Sequence, residues 1–409
     1  MRLETIDLSK IVKFVHADPR SNLDMIIEEG HRKEFDETKT LPLWHVIAIS
    51  QGTELEADQK TASFAIAFFF HHGIGDGTSG AAFHLDFLDA LNNLSAKDIK
   101  PPSKQTVISI PNIPLLPTLE MKIQLPLSIW FTIKQLFTTF VYSPEDLLHW
   151  WGPTITAIAP EQPPTVKLHS FALPHEMVKT LVAKCHSENS TITSLFSVLV
   201  ARKLALMYPT HSRFTGSIPF DLRRFTGHTI RDMGCFLSSV SPLFSSESRP
   251  PNGYISCATD PSVSLNHDTQ LWMNVRACKT FVTTKAASTT DQPVGLLKFI
   301  KDDYGSYFLS LLGKNREVAF EVTNIMVVDG GVGDDSGERN GNTGKATFDR
   351  VMFSATTPKH GYPFCVLLAT AKNGDLTSTL CWEEGVAEKE EALELSKWLE
   401  GSLREIIGG

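Results

Sequence analysis

The chain has 409 residues, of which 42% are hydrophobic and 21% charged, a balance typical of globular proteins with a sizeable core. Its formal net charge of -8 argues against nucleic acid as the main partner, because binding to phosphates needs a surplus of lysine and arginine. Six irregularly spaced cysteines without a C-x-x-C pair argue against a disulfide framework or a zinc site. Together with the lack of an apolar leader at the N-terminus, they predict a cytoplasmic protein.

Sequence patterns in the first part of the chain predict two strands that lie between two helices. Apolar residues on one face predict a helix within residues 21–35. The runs "LPLWHVIAIS" (41–50) and "TASFAIAFFFHH" (61–72) predict strands, and the continuous apolar character of the second indicates burial on both faces. A helical period follows the second run and predicts a helix that Thr78 or Ser79 caps.

The stretch "IQLPLSIWFTIKQLFTTFVY" (123–142) is long enough for a membrane span. A proline, a lysine and a glutamine interrupt it, so we interpret it as a packed helix after Pro126. Peripheral contact of this helix with a membrane is the less favoured alternative.

The proline-rich run "APEQPPT" (159–165) predicts a boundary between an N-terminal lobe, residues 1–160, and a C-terminal lobe, residues 166–409. Strand and helix patterns alternate irregularly after it. They include a buried strand in "REVAFEVTNIMVV", another strand in "MFSATTP" and a hairpin that turns at Asn373-Gly374. This alternation indicates an α/β or α+β protein.

The motif "HHGIGDG" (71–77) ends the second apolar run and begins the next helical period. Its glycines permit unusual backbone angles and the close approach of a substrate. It lacks the spacing of a phosphate loop or a dinucleotide-binding turn, and a metal site of His71, His72 and Asp76 would lack the usual helical spacing. The remaining chemical interpretation is a histidine that takes a proton from a hydroxyl as it attacks a carbonyl. The alternative is a histidine pair at a strand end, with Asp76 capping the next helix.

The motif resembles the HHxxxDG motif of acyltransferases related to chloramphenicol acetyltransferase. This superfamily includes plant BAHD acyltransferases, condensation domains of peptide synthetases, and alcohol O-acetyltransferases, and the chain is most similar to the fungal alcohol O-acetyltransferases. Five further stretches resemble family segments in the expected order: "LPLWHVIAI", "SIPFDLRRF", "FEVTNIMVV", "MFSATTP" and "CVLLATAKNGDLTSTLCWEEGV".

The resemblance implies an overall fold and a shortened first lobe. We expect the two-lobe α/β fold of chloramphenicol acetyltransferase, with mixed sheets, flanking helices and an active-site tunnel between the lobes. The first residues, "MRLETIDLSK", already lie inside the resemblance, which predicts a first lobe truncated at its N-terminus.

The resemblance also implies roles for the motif residues. His72 would be the general base and His71 a supporting residue. Asp76 would be structural and paired with Arg223, or as second choice with the arginine that follows it. Gly77 would allow the close turn.

Further site residues are expected outside the motif. Candidate donors to the oxyanion of the tetrahedral intermediate, or to substrate, are Ser354, Thr356 and Asn324. Lys314 and Arg316 are candidates for the phosphates of CoA, with a solvated turn as the alternative.

The function implied is CoA-dependent O-acyl transfer, most simply of acetyl from acetyl-CoA to an alcohol of secondary metabolism. The acyl group would pass directly to the alcohol, without a covalent enzyme intermediate, a metal or a permanently bound cofactor, in a monomeric protein. The motif does not separate this reaction from acylation of an amine or from condensation-type amide or ester formation. A truncated, non-catalytic relative that binds a ligand is a further alternative.

Overall fold

The computed structural model describes a mixed α/β structure over residues 3–21, 23–35, 39–50, 63–94, 106–140, 146–155, 165–300, 304–330, 345–357 and 360–408. The strands are β1 (Thr5–Asp7), β2 (Val12–His16), β3 (Trp44–Ser50), β4 (Phe64–Phe70), β5 (Val107–Ser109), β6 (Val166–Leu173), β7 (Arg213–Asp221), β8 (Leu237–Val240), β9 (Leu243–Ser245), β10 (Tyr254–Ser256), β11 (Phe320–Val328), β12 (Phe364–Ala371) and β13 (Leu376–Glu383). The helices are α1 (Leu8–Ile11), α2 (Leu23–His31), α3 (Gly77–Asn93), α4 (Leu119–Lys122), α5 (Ile129–Phe140), α6 (His175–Ser187), α7 (Ile192–Met207), α8 (Arg223–Thr226), α9 (Thr269–Ala286), α10 (Tyr304–Leu309) and α11 (Lys389–Ile406).

An eight-stranded mixed sheet dominates the second part of the chain. Its order is β10-β9-β7-β11-β12-β13-β6, with β8 paired to β7. β11 runs parallel to both β7 and β12, whereas β12, β13 and β6 are antiparallel neighbours. The predicted boundary at 159–165 lies outside the described residues except for Thr165, and all eight strands follow it.

The two faces of this sheet have different coverings. Helices α6, α7, α9 and α11 bury one face in a core that includes Leu195 and Leu399, together with Val322 of β11. The other face meets the N-terminal part of the chain, where the three-stranded sheet β2-β3-β4 and helix α2 bury Ile49 and Phe69 against Leu367 of β12. The motif "HHGIGDG" lies between β4 and α3, so the fold places it on this second face.

Helix α2 protects the edge strand β6 with two carboxylates. Glu28 accepts a hydrogen bond from the backbone N–H of Leu168 at 3.0 Å, and Asp24 accepts one from that of Ser170 at 3.0 Å. These contacts satisfy two donors that an open sheet edge would leave free. They also attach the N-terminal part of the chain to the large sheet.

Two strand predictions are wrong in part. β4 is not buried on both faces, because Phe64 is exposed. Helix α3 covers the second face of β4 only in part, where Phe68 stacks on Phe83 at a ring-centroid distance of 3.9 Å. Residues 352–357, from the predicted strand "MFSATTP", adopt no regular secondary structure. The hairpin of β12 and β13 forms as predicted and turns through Asn373, whose φ is 55°.

The interpretation of residues 123–142 as a packed helix is wrong for the first turn of α5. Ile129 is 80% exposed and Trp130 78% exposed. Within the described residues, no single helix has both the length and the apolar character needed to cross a membrane. The pair α6 and α7 passes that test only as two helices bent by 90° at their break.

Candidate active site

The motif begins at the end of β4 and makes one tight turn. The backbone N–H of His71 donates to the carbonyl of Leu43 at 2.9 Å, which holds the strand end in place. Residues His72–Ile74 then form a single 3₁₀ turn, and Nδ1 of His71 accepts a hydrogen bond from the N–H of Gly73 at 3.0 Å. Both histidines are exposed. Within the described part of the chain Nε2 of His72 makes no hydrogen bond, whereas His71 takes part in the turn.

Asp76 holds the motif to the rest of the site. It is 3% exposed and is the N-cap of α3, where its carboxylate accepts from the N–H of Ser79 at 3.0 Å. The same carboxylate accepts hydrogen bonds from both terminal nitrogens of Arg223, at 2.8 and 2.9 Å. Two further bonds, from the N–H of Phe236 at 3.0 Å and from the hydroxyl of Ser79 at 3.1 Å, leave the carboxylate no capacity for His72. α3 begins at Gly77 with Asp76 as its N-cap, so the prediction that Thr78 or Ser79 caps this helix is wrong.

Arg223 is the arginine that meets the motif. It is 4% exposed, and its guanidinium also donates to the backbone carbonyls of Asp232 and Gly234 at 3.1 Å each. Burial acts to lower the pKa of Arg223, but the hydrogen bonds and charge of Asp76 outweigh it and hold that pKa above its usual value. The next arginine, Arg224, instead donates to the carbonyl of Ala286.

Gly77 brings the first turn of α3 directly onto the large sheet. A Cβ at this position would lie 2.6 Å from Cγ2 of Ile325 and 2.8 Å from Cζ of Phe353. Real Cβ atoms do not approach that closely, so a larger residue would force either the motif or the side chains of Ile325 and Phe353 to shift. The glycine therefore sets the distance between the histidine turn and the sheet.

A bulge in β11 aims Ile325 at Gly77. The pairing of β11 with β12 shifts between Asn324 and Val327, and Met326 has a φ of 66°. Asn324 stabilises the bulge, since its side-chain oxygen accepts from the N–H of Met326 at 2.8 Å and its amide donates to Thr193 of α7 at 3.1 Å. The side chain of Asn324 thus lies on the helical face of the sheet, and these two contacts are the ones that the structure gives to this candidate oxyanion donor.

The candidate donors in residues 354–357 lie in different surroundings. The hydroxyl of Ser354 lies 2.9 Å from Nε2 of His31, and burial lowers the pKa of that histidine to about 4, so the ring is neutral near pH 7. Thr356 is exposed. Thr357 is buried, and its hydroxyl has no hydrogen-bond partner among the described residues.

The two candidates for CoA phosphates also differ. Arg316 is 1% exposed and donates to the carbonyls of Pro153 and Gly361, at 2.8 Å each. Burial lowers the pKa of Arg316, and its guanidinium is engaged by backbone oxygens rather than exposed to solvent. Lys314 is exposed, as such a role requires.

Sequence reasoning missed Glu321, a carboxyl on β11. It accepts hydrogen bonds from the hydroxyls of Tyr362 at 2.8 Å, Ser217 at 2.9 Å and Thr323 at 3.0 Å. Burial raises its pKa, and the hydroxyls and the charge of His72 act in the opposite direction. An acidic residue inside the apolar run "AFEVTNIMVV" was the available signal, because a buried carboxyl needs partners.

Cys235 is the second neighbour that the sequence did not assign. Its thiol donates to the backbone carbonyl of His72 at 2.9 Å and lies 3.9 Å from Nδ1 of the same residue. Burial raises the pKa of this thiol to about 11, so it remains protonated near pH 7. It contacts the histidine as a neutral donor. Among the described residues, no three His, Cys, Asp or Glu side chains are grouped as metal ligands.

Comparison with known proteins identifies relatives of the whole chain. The family model described as alcohol acetyltransferase matches residues 5–233. The chain is similar to the probable alcohol acetyltransferase crmB of Aspergillus fumigatus, with 26% identity over 408 residues that cover 94% of this chain and 79% of the relative. It is also similar to the probable alcohol acetyltransferase FCK4 of Fusarium pseudograminearum, with 21% identity over 399 residues covering 94% and 76%.

Solved structures resemble the fold. The TRI3 trichothecene 15-O-acetyltransferase from Fusarium sporotrichioides has a TM-score of 0.62 at 14% identity, with 97% of this chain and 76% of that one covered. The epimerization domain from the third module of tyrocidine synthetase B has a TM-score of 0.51 at 14% identity, covering 97% and 79%. These likenesses confirm the predicted two-lobe α/β fold.

Proposed function

Because this chain belongs to the alcohol acetyltransferase family and is therefore an acyltransferase, we propose that it transfers acetyl from acetyl-CoA to the hydroxyl of an alcohol, with His72 as the general base. The observation that carries the proposal is the division of roles in the motif. Asp76 and His71 are committed to hydrogen bonds that shape the turn, whereas His72 is exposed with Nε2 free of any described partner. The likeness to a trichothecene O-acetyltransferase favours an alcohol of secondary metabolism as the acceptor.

The reaction proceeds by direct transfer in this proposal. Acetyl-CoA and the alcohol enter the expected tunnel from opposite mouths. Nε2 of His72 takes the hydroxyl proton while the alcohol oxygen bonds to the thioester carbon. The tetrahedral intermediate then expels the CoA thiolate, which takes the proton back from His72. Holding both substrates in line lowers the barrier by up to about 7–11 kcal/mol.

Ser354 is the proposed donor to the oxyanion of that intermediate. The adjoining Phe353 lies at the position where the motif packs on the sheet, beside Gly77. A neutral His31 that donates from Nε2 to Ser354 leaves the serine proton free to point at the oxyanion. Lys314 remains the proposed contact for a phosphate of CoA, since it is exposed.

The test is release of CoA thiol from acetyl-CoA in the presence of a panel of alcohols and amines of matched carbon skeleton. The proposal expects turnover with at least one class of alcohol and little with the matched amines. His72→Ala should lower turnover by about 10²–10⁴-fold, the usual contribution of a general base. His71→Asn is the matched control, because it removes the neighbouring imidazole but keeps a side-chain acceptor for the N–H of Gly73, and it should retain most of the activity. Turnover with amines alone, or equal rates in wild type and His72→Ala, would refute the proposal.

A further inference from the structure

A thiol from a distant part of the chain contacts the histidine turn. Sγ of Cys235 lies 2.9 Å from the backbone carbonyl oxygen of His72 and 3.9 Å from Nδ1 of the same residue. The ion pair of Asp76 with Arg223 brings the two segments together, because Arg223 also donates to the carbonyl of Gly234, the residue before the cysteine. The thiol therefore meets both the backbone and the ring of the proposed base.

The tautomer of His72 decides whether it can act as a base. A neutral imidazole carries its proton on one ring nitrogen and keeps a lone pair on the other. Nε2 can take a proton only when the ring proton is on Nδ1, and the hydrogen bond made by one nitrogen sets which tautomer is present. A free histidine side chain favours the proton on Nε2, so the working tautomer needs an acceptor beside Nδ1.

The oxygen atoms of the turn are already engaged. The carboxylate of Asp76 is saturated by its own hydrogen bonds. The carbonyl oxygen of His72 has two lone pairs, and it accepts from the N–H of Gly75 at 3.4 Å and from the thiol of Cys235 at 2.9 Å. Among the described residues, Sγ of Cys235 is the group that lies within hydrogen-bond reach of Nδ1.

A protonated thiol can serve both atoms of His72 at once. Cysteine is a weak donor through S–H and a weak acceptor through sulfur. Burial raises the pKa of Cys235 to about 11, so the S–H group is retained near pH 7 and donates to the carbonyl. The lone pairs of the sulfur then remain to accept from Nδ1–H. A weak acceptor is sufficient here, because the two tautomers of an imidazole are close in free energy.

We propose that Cys235 is a positioning residue for the base: its sulfur accepts a hydrogen bond from Nδ1–H of His72 and so holds the tautomer whose Nε2 can take the proton of the acceptor alcohol. This inference rests on the proposed function, in which His72 is the base. Cys235 itself takes no proton and carries no acyl group in the reaction.

The test is NMR of the full chain without substrate, at a pH where His72 is neutral, with the imidazole nitrogens isotopically labelled. The His72 signals are assigned by their absence from His72→Ala. Wild type should show a protonated Nδ1 and an unprotonated Nε2, whereas Cys235→Ala should shift the ring toward the Nε2–H tautomer. Cys235→Ser retains a donor and an acceptor, so it should keep most of the wild-type tautomer.

Kinetics of the same variants provide a second readout. In Cys235→Ala, kcat for acetyl transfer should fall about three- to tenfold with KM little changed, because only the minor tautomer keeps an unprotonated Nε2. Cys235→Ser should restore most of this loss. A role in packing alone would lower the melting temperature of Cys235→Ala without changing the tautomer.

Two results would overturn the inference. They are a wild-type His72 that carries its proton on Nε2, and a tautomer population that is the same in wild type and Cys235→Ala. If Cys235→Ala does not fold, Cys235→Val fills the volume of the thiol without a polar atom, and an unchanged tautomer in that variant would overturn the inference equally. An active His72→Ala would instead refute the proposed function, whatever the tautomer of His72.

Discussion

Replacement of Asp76 by asparagine should destabilise the protein measurably. Removing one member of a buried ion pair costs about 3–5 kcal/mol, because the other charge remains buried without compensation. Asparagine still caps α3 through Ser79, and Arg223 keeps Asp221 at 3.1 Å and two backbone carbonyls, so we expect the lower end, about 3 kcal/mol. At roughly 2 °C per kcal/mol for a large domain, the melting temperature should fall by about 6 °C.

Scanning calorimetry of Asp76→Asn measures this fall, and Asp221→Asn is its matched control. Asp221 contacts the same guanidinium, but its side chain is 40% exposed, so its loss should cost less than about 1 kcal/mol. Acetyl transfer should fall in Asp76→Asn, because the histidine turn is no longer held to α8. An unchanged melting temperature in Asp76→Asn, or equal falls in both variants, would refute the reasoning from burial.

Two further predictions concern the surroundings of the motif. Gly77→Ala places a Cβ 2.6 Å from Ile325, so it should lower the free energy of unfolding by about 1–3 kcal/mol and reduce activity. Gly80→Ala on the same helix has its nearest contact at 3.4 Å and should leave the melting temperature unchanged or higher. Equal effects of the two variants on the melting temperature would contradict the tight packing at Gly77. Cys235 is exposed and the other five cysteines are buried, so N-ethylmaleimide should add a single label, detected by intact-mass spectrometry. Labelling should become faster as the pH approaches the pKa of this thiol, about 11, and the label should block acetyl transfer. Cys235→Ser should resist both effects, and full activity in the labelled wild type would contradict the placement of this thiol beside His72.

Local patterns in the sequence predict much of the fold. The run that becomes β11 and the Asn373-Gly374 hairpin have strong signals over a few residues, and both form. The motif and the arginine segment are separate local signals, and the fold brings Asp76 and Arg223 into contact. The burial of α5 fails as a prediction, because apolar periodicity does not say whether anything covers the apolar face.

Contacts between distant segments account for the surroundings of the site residues that the sequence did not predict. Glu321 meets Ser217 and Tyr362, which are 104 and 41 residues away in the chain, so no local pattern marks them as its partners. Asn324 faces α7 because alternate residues of β11 point to opposite faces of the sheet, and the local sequence does not show which of the two faces carries the motif. Arg316 lies in a charged turn by sequence, yet distant backbone carbonyls bury its guanidinium.

The central claim is that His72 alone among the motif side chains handles the proton. Its most direct test is the rate of acetyl-ester formation by wild type, His72→Ala and His71→Asn, measured with the best alcohol of the panel at a temperature below the melting of all three proteins. The account predicts a loss of about 10²–10⁴-fold in His72→Ala and little loss in His71→Asn. Ester formation by His72→Ala at the wild-type rate would contradict it.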